Sequence, residues 1–268
     1  MLLNNDVAKS GYDVRDYTIT AEAGFPESFS LETVPVKNQG IQSTCVAHSL
    51  SSVIEWHYKR QHNTYEKFST EFIYGYRPEG YYTGEGMRIR DALKTIQKYG
   101  DTFVSDCAGN HNYEIAHKKV SENFEELKAL AYPHRISEYF KISNADELKT
   151  ALMKYGVVVV SMNTYDGSKL VDDVYTYDST KEHGRHCVFI YGWNEKGWLV
   201  QNSWGVWYGG DGRFIIPFDY IFNEMWGVID NITEGELNKP TRSVIWDIVY
   251  LVINKLINYF LSRKEKTK

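Results

Sequence analysis

Cysteine is scarce in this sequence: it occurs three times in 268 residues, at positions 45, 107 and 187. If Cys45 is a free thiol, a single pair remains, and nothing in the sequence requires that pair to form a disulfide. Cys187 lies in an apolar stretch, so we expect a buried, reduced thiol that packs as a small hydrophobic side chain. A chain of this length can bury a large core without disulfides.

The sequence also lacks a positive net charge, and its first residues do not have the pattern of a signal peptide. Its 30 basic and 35 acidic residues give a net charge of −5, and no basic run occurs before the C-terminus. Nucleic-acid binding is therefore disfavoured. The first ten residues have neither the positively charged start nor the apolar run of a secretory signal, so we expect none.

Aromatic residues, in contrast, are abundant. They make up 15% of the chain, with 21 tyrosines and 7 tryptophans. Such a content indicates either a binding groove lined by aromatic rings or a tyrosine-rich core. The hydrophobic fraction of 43% and the charged fraction of 24% are ordinary for a globular protein.

Cys45 lies at the junction between a polar, glycine-containing loop and an apolar-periodic segment. The periodicity predicts a helix from Cys45 to about Arg60, with Ser43 and Thr44 as its expected caps. A cysteine in the first helical turn lies near the positive end of the helix dipole, which favours the thiolate. Gln39 in the same loop carries a side-chain amide that can donate to an oxyanion. The alternative interpretation of Cys45 is a buried structural cysteine.

A second motif lies far downstream, in two predicted strands at residues 184–193 and 197–205. His186 opens the first strand, and the second ends in Asn202-Ser203-Trp204-Gly205. A hairpin of these strands places His186 near Asn202. The side-chain carbonyl of Asn202 can then fix the tautomer and orientation of the imidazole, and Trp204 can shield that hydrogen bond from water.

Taken together, four motifs resemble the papain-like cysteine peptidases: Gln39-Gly40 before Cys45, His186 opening a strand, residues 202–205, and the glycines of residues 209–212. In that family the histidine and asparagine follow the cysteine by roughly 130–150 residues, and here they follow it by about 140 and about 160. The resemblance covers about residues 11–231. It implies an α+β fold of two lobes, a helical N-terminal lobe and an antiparallel β-barrel-like C-terminal lobe, with the site between them.

The resemblance also implies a role for each site residue. The implied catalytic residues are Cys45 as nucleophile, His186 as base, Asn202 as the residue that orients His186, and Gln39 as oxyanion donor. Gly86 is the first choice, and Gly84 the second, for a glycine whose backbone pairs with the substrate. A plain turn is the alternative reading of both glycines. Arg185 and Trp204 are expected to contribute to substrate binding.

Three departures from the family pattern lie close to Cys45. Gln42 stands where relatives have another cysteine, so the disulfide that usually anchors this loop cannot form. Val46 and His48 replace aromatic residues, which affects substrate preference rather than the chemistry. Exported relatives commonly carry several disulfides, and their absence here predicts a cytoplasmic location. Only about a dozen residues precede the peptidase-like unit, too few for an inhibitory pro-segment, so we expect a different control of activity or a trimmed chain.

Two polar regions contain residue types found in metal sites or at the border of substrate grooves. Cys107, His111 and His117 do not have the spacing of a four-ligand zinc site, so we expect no metal and no cofactor. Residues 165–181 carry four acidic residues and are expected to form a solvated loop. The alternative is an acidic border of the substrate groove that favours basic substrates.

The chain divides into a peptidase domain (1–234), a polar linker (235–242) and a C-terminal segment (243–268) that is apolar at first and basic at its end. Asp247 and Lys255 make a membrane span costly, so we expect residues 243–261 to form an interfacial helix anchored by Trp246. Its expected partner is a membrane surface or a second copy of the chain. Packing on the domain is the alternative.

The sequence thus predicts a cysteine peptidase that hydrolyses peptide or protein substrates. The predicted mechanism uses a Cys45 thiolate, a His186 imidazolium and a thioester acyl-enzyme. One alternative is a catalytically silent binding protein, against which the joint presence of all four implied catalytic residues argues. The other is an acyltransferase or transglutaminase-like enzyme, in which an amine rather than water resolves the thioester.

Overall fold

The computed structural model describes residues 7–11, 13, 16–77 and 84–230. The predicted linker (235–242) and C-terminal segment (243–268) lie outside the described residues. Within the described part, no helix has both the length and the apolar character needed to cross a membrane.

The first half of the chain is mostly helical, as predicted. Helix α1 begins at Cys45 and ends at His62, where Asn63 adopts a left-handed conformation with φ of 52°. Helix α2 (Thr70–Gly75) is capped by the hydroxyl of Ser69, which accepts a hydrogen bond from the N–H of Phe72 at 2.9 Å. The further helices are α3 (Ile89–Tyr99), α4 (Tyr113–Glu122), α5 (Phe124–Ala131), a 3₁₀ turn (Tyr132–His134) and α6 (Ala145–Lys154).

The strands of the described residues are β1 (Phe29–Ser30), β2 (Glu138–Ile142), β3 (Val158–Tyr165), β4 (Lys169–Val171), β5 (Val174–Thr176), β6 (Glu182–Asn194), β7 (Gly197–Gln201), β8 (Arg213–Ile216) and β9 (Glu224–Ile229). They form one sheet with the order β2-β9-β3-β6-β7-β8-β5-β4, and β1 pairs with β6. Among these strands all pairs are antiparallel except β5 and β8, which are parallel. The predicted α+β class is confirmed.

The central strands β3 and β6 separate two hydrophobic clusters. Side chains alternate between the faces of a strand. Val159 and Phe189 accordingly join the cluster that contains the buried side of α1. Val158 and Ile190 join the cluster on the other side of the sheet, with α6 and the later strands. Because both faces of these strands are buried, their sequences read as unbroken apolar runs.

The polar segment of residues 165–181 is not the plain solvated loop that the sequence predicts. Part of it forms the hairpin of β4 and β5, in which Lys169 pairs with Thr176. Val174 of β5 is in register with Ile215 of β8, so the hairpin extends the sheet. Tyr175 turns inward and is only 2% exposed. The aromatic residues of this segment, rather than its acids, decide its packing.

Candidate active site

Cys45 is the first residue of α1 and is fully buried. No acidic residue lies in the first turn, so the positive end of the helix dipole is not offset there. Thr44 occupies the N-cap position, but its side chain makes no capping hydrogen bond, in contrast to the prediction. The thiol is therefore presented at a helix N-terminus, the environment that favours a thiolate.

His186 and Asn202 are brought together by the hairpin of β6 and β7. His186 lies inside β6, which begins at Glu182, slightly earlier than predicted. Its Nε2 donates to Oδ1 of Asn202 at 2.7 Å, and both side chains are almost fully buried. The indole of Trp204 stacks on the imidazole, with ring centroids 4.3 Å apart and planes 22° from parallel. Among the described residues, Nδ1 of His186 has no hydrogen-bond partner.

Burial controls the protonation of the two histidines near the site. Burial lowers the pKa of His186 to about 4, and the hydrogen bond that His186 donates to Asn202 acts in the opposite direction. Burial, with a smaller effect of Lys37, lowers the pKa of His48 to about 3. An imidazolium at either position requires a negative partner, because a buried charge without one is disfavoured.

Gln39 joins the Cys45 loop to the end of the His186 hairpin. Its backbone N–H donates to the carbonyl of Ser203 at 2.8 Å. Its side-chain oxygen accepts from the Ser203 hydroxyl at 2.7 Å, and its side-chain nitrogen donates to the carbonyl of Gln42 at 2.9 Å. An amide nitrogen carries two hydrogens, and the bond to Gln42 engages one of them. The Gln39 amide is thus held in one orientation close to Cys45.

Asn110 contacts the same loop from the opposite side, and the sequence alone did not indicate this role. Its Nδ2 donates to the carbonyl of Gln39 at 2.7 Å, and its Oδ1 accepts from the Thr44 hydroxyl at 3.0 Å. The next residue, His111, is held by the buried carboxylate of Glu71 through both its ring and its backbone N–H. Asn110 thereby ties together the two ends of the turn that precedes Cys45.

A buried ion pair connects the start of this loop to α1. Nζ of Lys37 lies 2.6 Å from Oε1 of Glu55, whose side chain is fully buried. Lys37 also donates to the carbonyl of Phe68 at 3.0 Å, and the N–H of Phe68 donates to Glu55 at 2.9 Å. Nearby, burial raises the pKa of Asp101 well above its usual range, although Lys37 opposes the shift.

The residues predicted to bind substrate differ in their exposure and in their position relative to His186. Gly86 is buried and its N–H donates to the Tyr74 hydroxyl at 3.1 Å, whereas Gly84 is exposed. Accessibility therefore favours Gly84, the reverse of the predicted ranking. Arg185 precedes His186 in β6, so its side chain points to the opposite face of the sheet. Trp204 alone of this set contacts the His186 ring.

The residues considered for zinc have other partners. The ring of His111 contacts Glu71, and Nδ1 of His117 lies 2.9 Å from the carbonyl of Gly75. Within the described ranges, no group of three or more His, Cys, Asp or Glu residues is arranged to hold a metal ion. Cys45, Cys107 and Cys187 are all buried, and none of them forms a disulfide with another described residue.

A buried cysteine at a helix start, with a histidine held by an asparagine, is typical of enzymes that use a thiol nucleophile. A family model described as "Papain family cysteine protease" matches residues 26–221, which is most of the chain. The chain belongs to this family. It is a cysteine peptidase, and its substrates are peptides or proteins.

Individual relatives are distant in sequence. The chain is 28% identical over 231 residues to a peptidase C1-like protein of Acanthamoeba polyphaga mimivirus, covering 75% of this chain and 71% of that protein. It is 25% identical over 233 residues to cysteine proteinase 3 of Entamoeba histolytica, with 81% and 71% covered. Among solved structures, xylellain, a cysteine protease from Xylella fastidiosa, aligns with a TM-score of 0.74 at 23% identity, covering 84% of this chain and 96% of xylellain. This structural likeness supports the papain-like fold.

Proposed function

We propose that this peptidase cleaves peptide bonds with Cys45 as nucleophile and His186 as its proton-transfer partner. The observation that carries the proposal is the state of His186. Its Nε2 is engaged by Asn202 at 2.7 Å, and its other ring nitrogen has no hydrogen-bond partner among the described residues. We assign Cys45, at the start of α1, as the nucleophile that exchanges its proton with this second nitrogen, Nδ1.

The proposed reaction has two stages. The thiolate of Cys45 attacks the substrate carbonyl carbon, and the carbonyl oxygen takes up the electron pair. The C–N bond then breaks, and His186 gives its proton to the leaving amine. In the second stage water gives a proton to His186 and adds to the thioester, after which the C–S bond breaks and the acid product leaves.

We assign the oxyanion to two donors, the side-chain nitrogen of Gln39 and the backbone N–H of Cys45. The amide of Gln39 is oriented by Ser203 and Gln42, so its donor needs no reorganisation during the reaction. Preorganised donors of this kind contribute about 3–4 kcal/mol to transition-state stabilisation.

The low pKa of His186, about 4, limits the protonation states that Cys45 and His186 can have in the resting enzyme. A buried imidazolium alone is disfavoured, but an adjacent thiolate supplies the opposite charge that stabilises it. The two groups are therefore either both neutral or both charged. We propose the charged pair, because the N-terminus of α1 adds stabilisation to the thiolate.

Labelling with an epoxysuccinyl peptide, followed by intact mass, tests the proposal. We expect one adduct on the wild type, no adduct on Cys45→Ala, and strongly slowed labelling of His186→Ala. Cys107→Ala is the matched control, because it removes another buried cysteine and should label as the wild type does. Absence of an adduct on the folded wild type, or loss of the adduct in Cys107→Ala, would contradict the assignment.

The same chemistry would transfer the acyl group if an amine resolved the thioester. Product mass separates the two, since hydrolysis adds one water and transfer joins two substrates. A silent binding protein would give neither product. The boundary of the peptidase domain near residue 234, the cytoplasmic location and the membrane-surface or self-association of residues 243–261 remain predictions from the sequence.

A further inference from the structure

A cavity of about 500 Å³ opens beside His186, within the size range of ligand-binding sites. Aromatic rings form a large part of its walls, and residues 164–168 with Tyr175 of β5 supply one side. The aromatic residues that line it are Tyr165, Tyr175, Trp204, Trp207, Tyr208 and Phe214.

The position of the cavity relative to the scissile bond follows from its lining. His186 lines the cavity, whereas Cys45, Gly84 and Gly86 are not among the described residues that line it. In the proposed function His186 delivers its proton to the leaving amine, so the cavity lies on the amine side of the bond. The inference developed here therefore rests on that proposed function.

The inner part of the cavity is closely packed and largely apolar. Met162, Tyr175 and Phe214 are each at most 3% exposed. The ring of Tyr175 packs against Phe214 with centroids 5.9 Å apart, and Tyr165 stacks on Tyr177 at 4.5 Å. Walls that are already ordered lose little entropy when a ligand binds, so they favour a large apolar group of matching shape.

The rim of the cavity exposes apolar side chains to an unusual degree. Among the lining residues, Trp207 is 73% exposed and Ile41 is 64% exposed. The Trp207 ring nevertheless has a defined place, because it lies over Gly205, where an added Cβ would come within 2.6 Å of it. An exposed apolar patch beside a cleft is typical of a binding surface, and tryptophan is enriched at the residues that dominate binding energy.

The charges at the cavity select against acidic ligands. Apart from His186 and the tyrosines, the titratable groups among the described lining residues are Asp166 and His183, whose side chains lie 3.4 Å apart. No lysine or arginine is found in that described lining to pair with a carboxylate. Asp166 would repel an acidic side chain, and burial against aromatic walls would cost an acid its hydration.

We propose that this cavity binds a large aromatic or branched apolar residue on the amine side of the cleaved bond, with Trp207 as a specificity-determining residue. The preferred residue thus lies in the product segment that leaves with the new amine. This amine-side preference acts together with any residue preference of the acyl side of the cleft.

Competition between amines for one acyl-enzyme tests this directly. A peptidyl-aminomethylcoumarin forms the acyl-enzyme, and its coumarin release reports on the proposed function without a residue in the cavity. Phenylalanine amide, leucine amide, glycine amide and aspartate amide are then offered as acceptors, and the joined products are measured by mass. We expect phenylalanine amide to capture the acyl group at least about tenfold better than glycine amide, and aspartate amide to be the poorest acceptor.

In Trp207→Ala the ratio of acyl capture by phenylalanine amide to capture by glycine amide should fall to less than about threefold, since the cavity loses the Trp207 ring from its wall. Ile221→Ala is the matched control, because it removes an apolar side chain that is 85% exposed and does not line the cavity. Its capture ratio and coumarin release should equal those of the wild type. Equal capture of all amines by a wild type that releases coumarin would overturn the inference alone. Absence of coumarin release from any donor peptide would overturn the proposed function as well.

Discussion

The two parts of the candidate site are positioned by different means. His186 lies in β6 and Asn202 directly follows β7, and the sheet hydrogen bonds of this hairpin set their relative position. Cys45 and Gln39 lie at and before the start of a helix, and polar side chains from distant parts of the chain hold that loop. The comparison shows that a loop without an anchoring disulfide can still be held by buried charge and by hydrogen bonds. The loop is consequently the part more sensitive to single polar substitutions.

The largest expected effect comes from breaking the buried ion pair under the loop. Lys37→Met should lower the free energy of unfolding by about 3–5 kcal/mol, because it leaves the Glu55 carboxylate buried without its counter-charge. Lys59→Met is the matched control, since its partner Glu32 is 83% exposed and the pair should contribute less than about 1 kcal/mol. Urea unfolding of both variants measures the difference. Equal, small losses would show that the buried pair does not stabilise the loop.

The second prediction concerns the pH dependence of stability. Burial lowers the pKa of His48 and His57 to about 3, and of His134 to about 4. Below pH 6.5 the unfolded chain therefore binds more protons than the folded one, so stability should fall as the pH drops from 6.5 towards 4. Each histidine contributes at most about 1.4 kcal/mol per pH unit. Asp101, whose pKa is raised by burial, acts in the opposite direction.

Urea unfolding between pH 5 and 7 measures this slope. His48→Asn should flatten it, because the variant removes one proton that only the unfolded state binds readily. A slope of the opposite sign in the wild type would mean that the buried histidines are charged in the folded protein.

The third prediction separates positioning of the loop from general stability. Asn110→Ala should lower kcat about 10- to 100-fold, because Gln39 and Thr44 lose their shared partner and a displacement of the site by about 1 Å has effects of this size. Asn110→Asp keeps the acceptor for Thr44 but not the donor to Gln39, so it should be intermediate.

Asn112→Ala is the matched control for Asn110→Ala. Asn112 caps α4 by accepting from the N–H of Ile115 at 3.1 Å. Its loss should lower stability by about 1 kcal/mol and leave kcat unchanged. If both variants lose stability equally and neither loses kcat, Asn110 has only a structural role.

The smallest expected effect is at Ser203, which orients Gln39 from the hairpin side. Ser203→Ala should lower kcat by up to about tenfold, because the amide of Gln39 loses the hydroxyl that donates to its oxygen at 2.7 Å. Ser203→Thr retains the hydroxyl and should recover most of the rate. An unchanged kcat in Ser203→Ala would indicate that Gln42 alone is sufficient to orient the amide.

Local patterns in the sequence predicted several features well. The apolar periodicity after Cys45 predicts a helix that the structure extends only slightly, to His62. The glycine turn between two apolar runs predicts the hairpin that brings His186 to Asn202. The predicted loop at residues 165–181 was wrong, because its polar composition concealed two features: Val174, which pairs with Ile215 of β8, and the buried side chain of Tyr175.

What the sequence alone determined is the pair of elements that present Cys45 and His186, because periodicity and turn chemistry act over a few residues. Only the tertiary structure decided what holds and surrounds them. Asn110 is 66 and 71 positions from its partners Thr44 and Gln39, and Ser203 is 164 positions from Gln39. Contacts at such separations depend on how the two halves pack against each other, and so does the aromatic cavity beside His186.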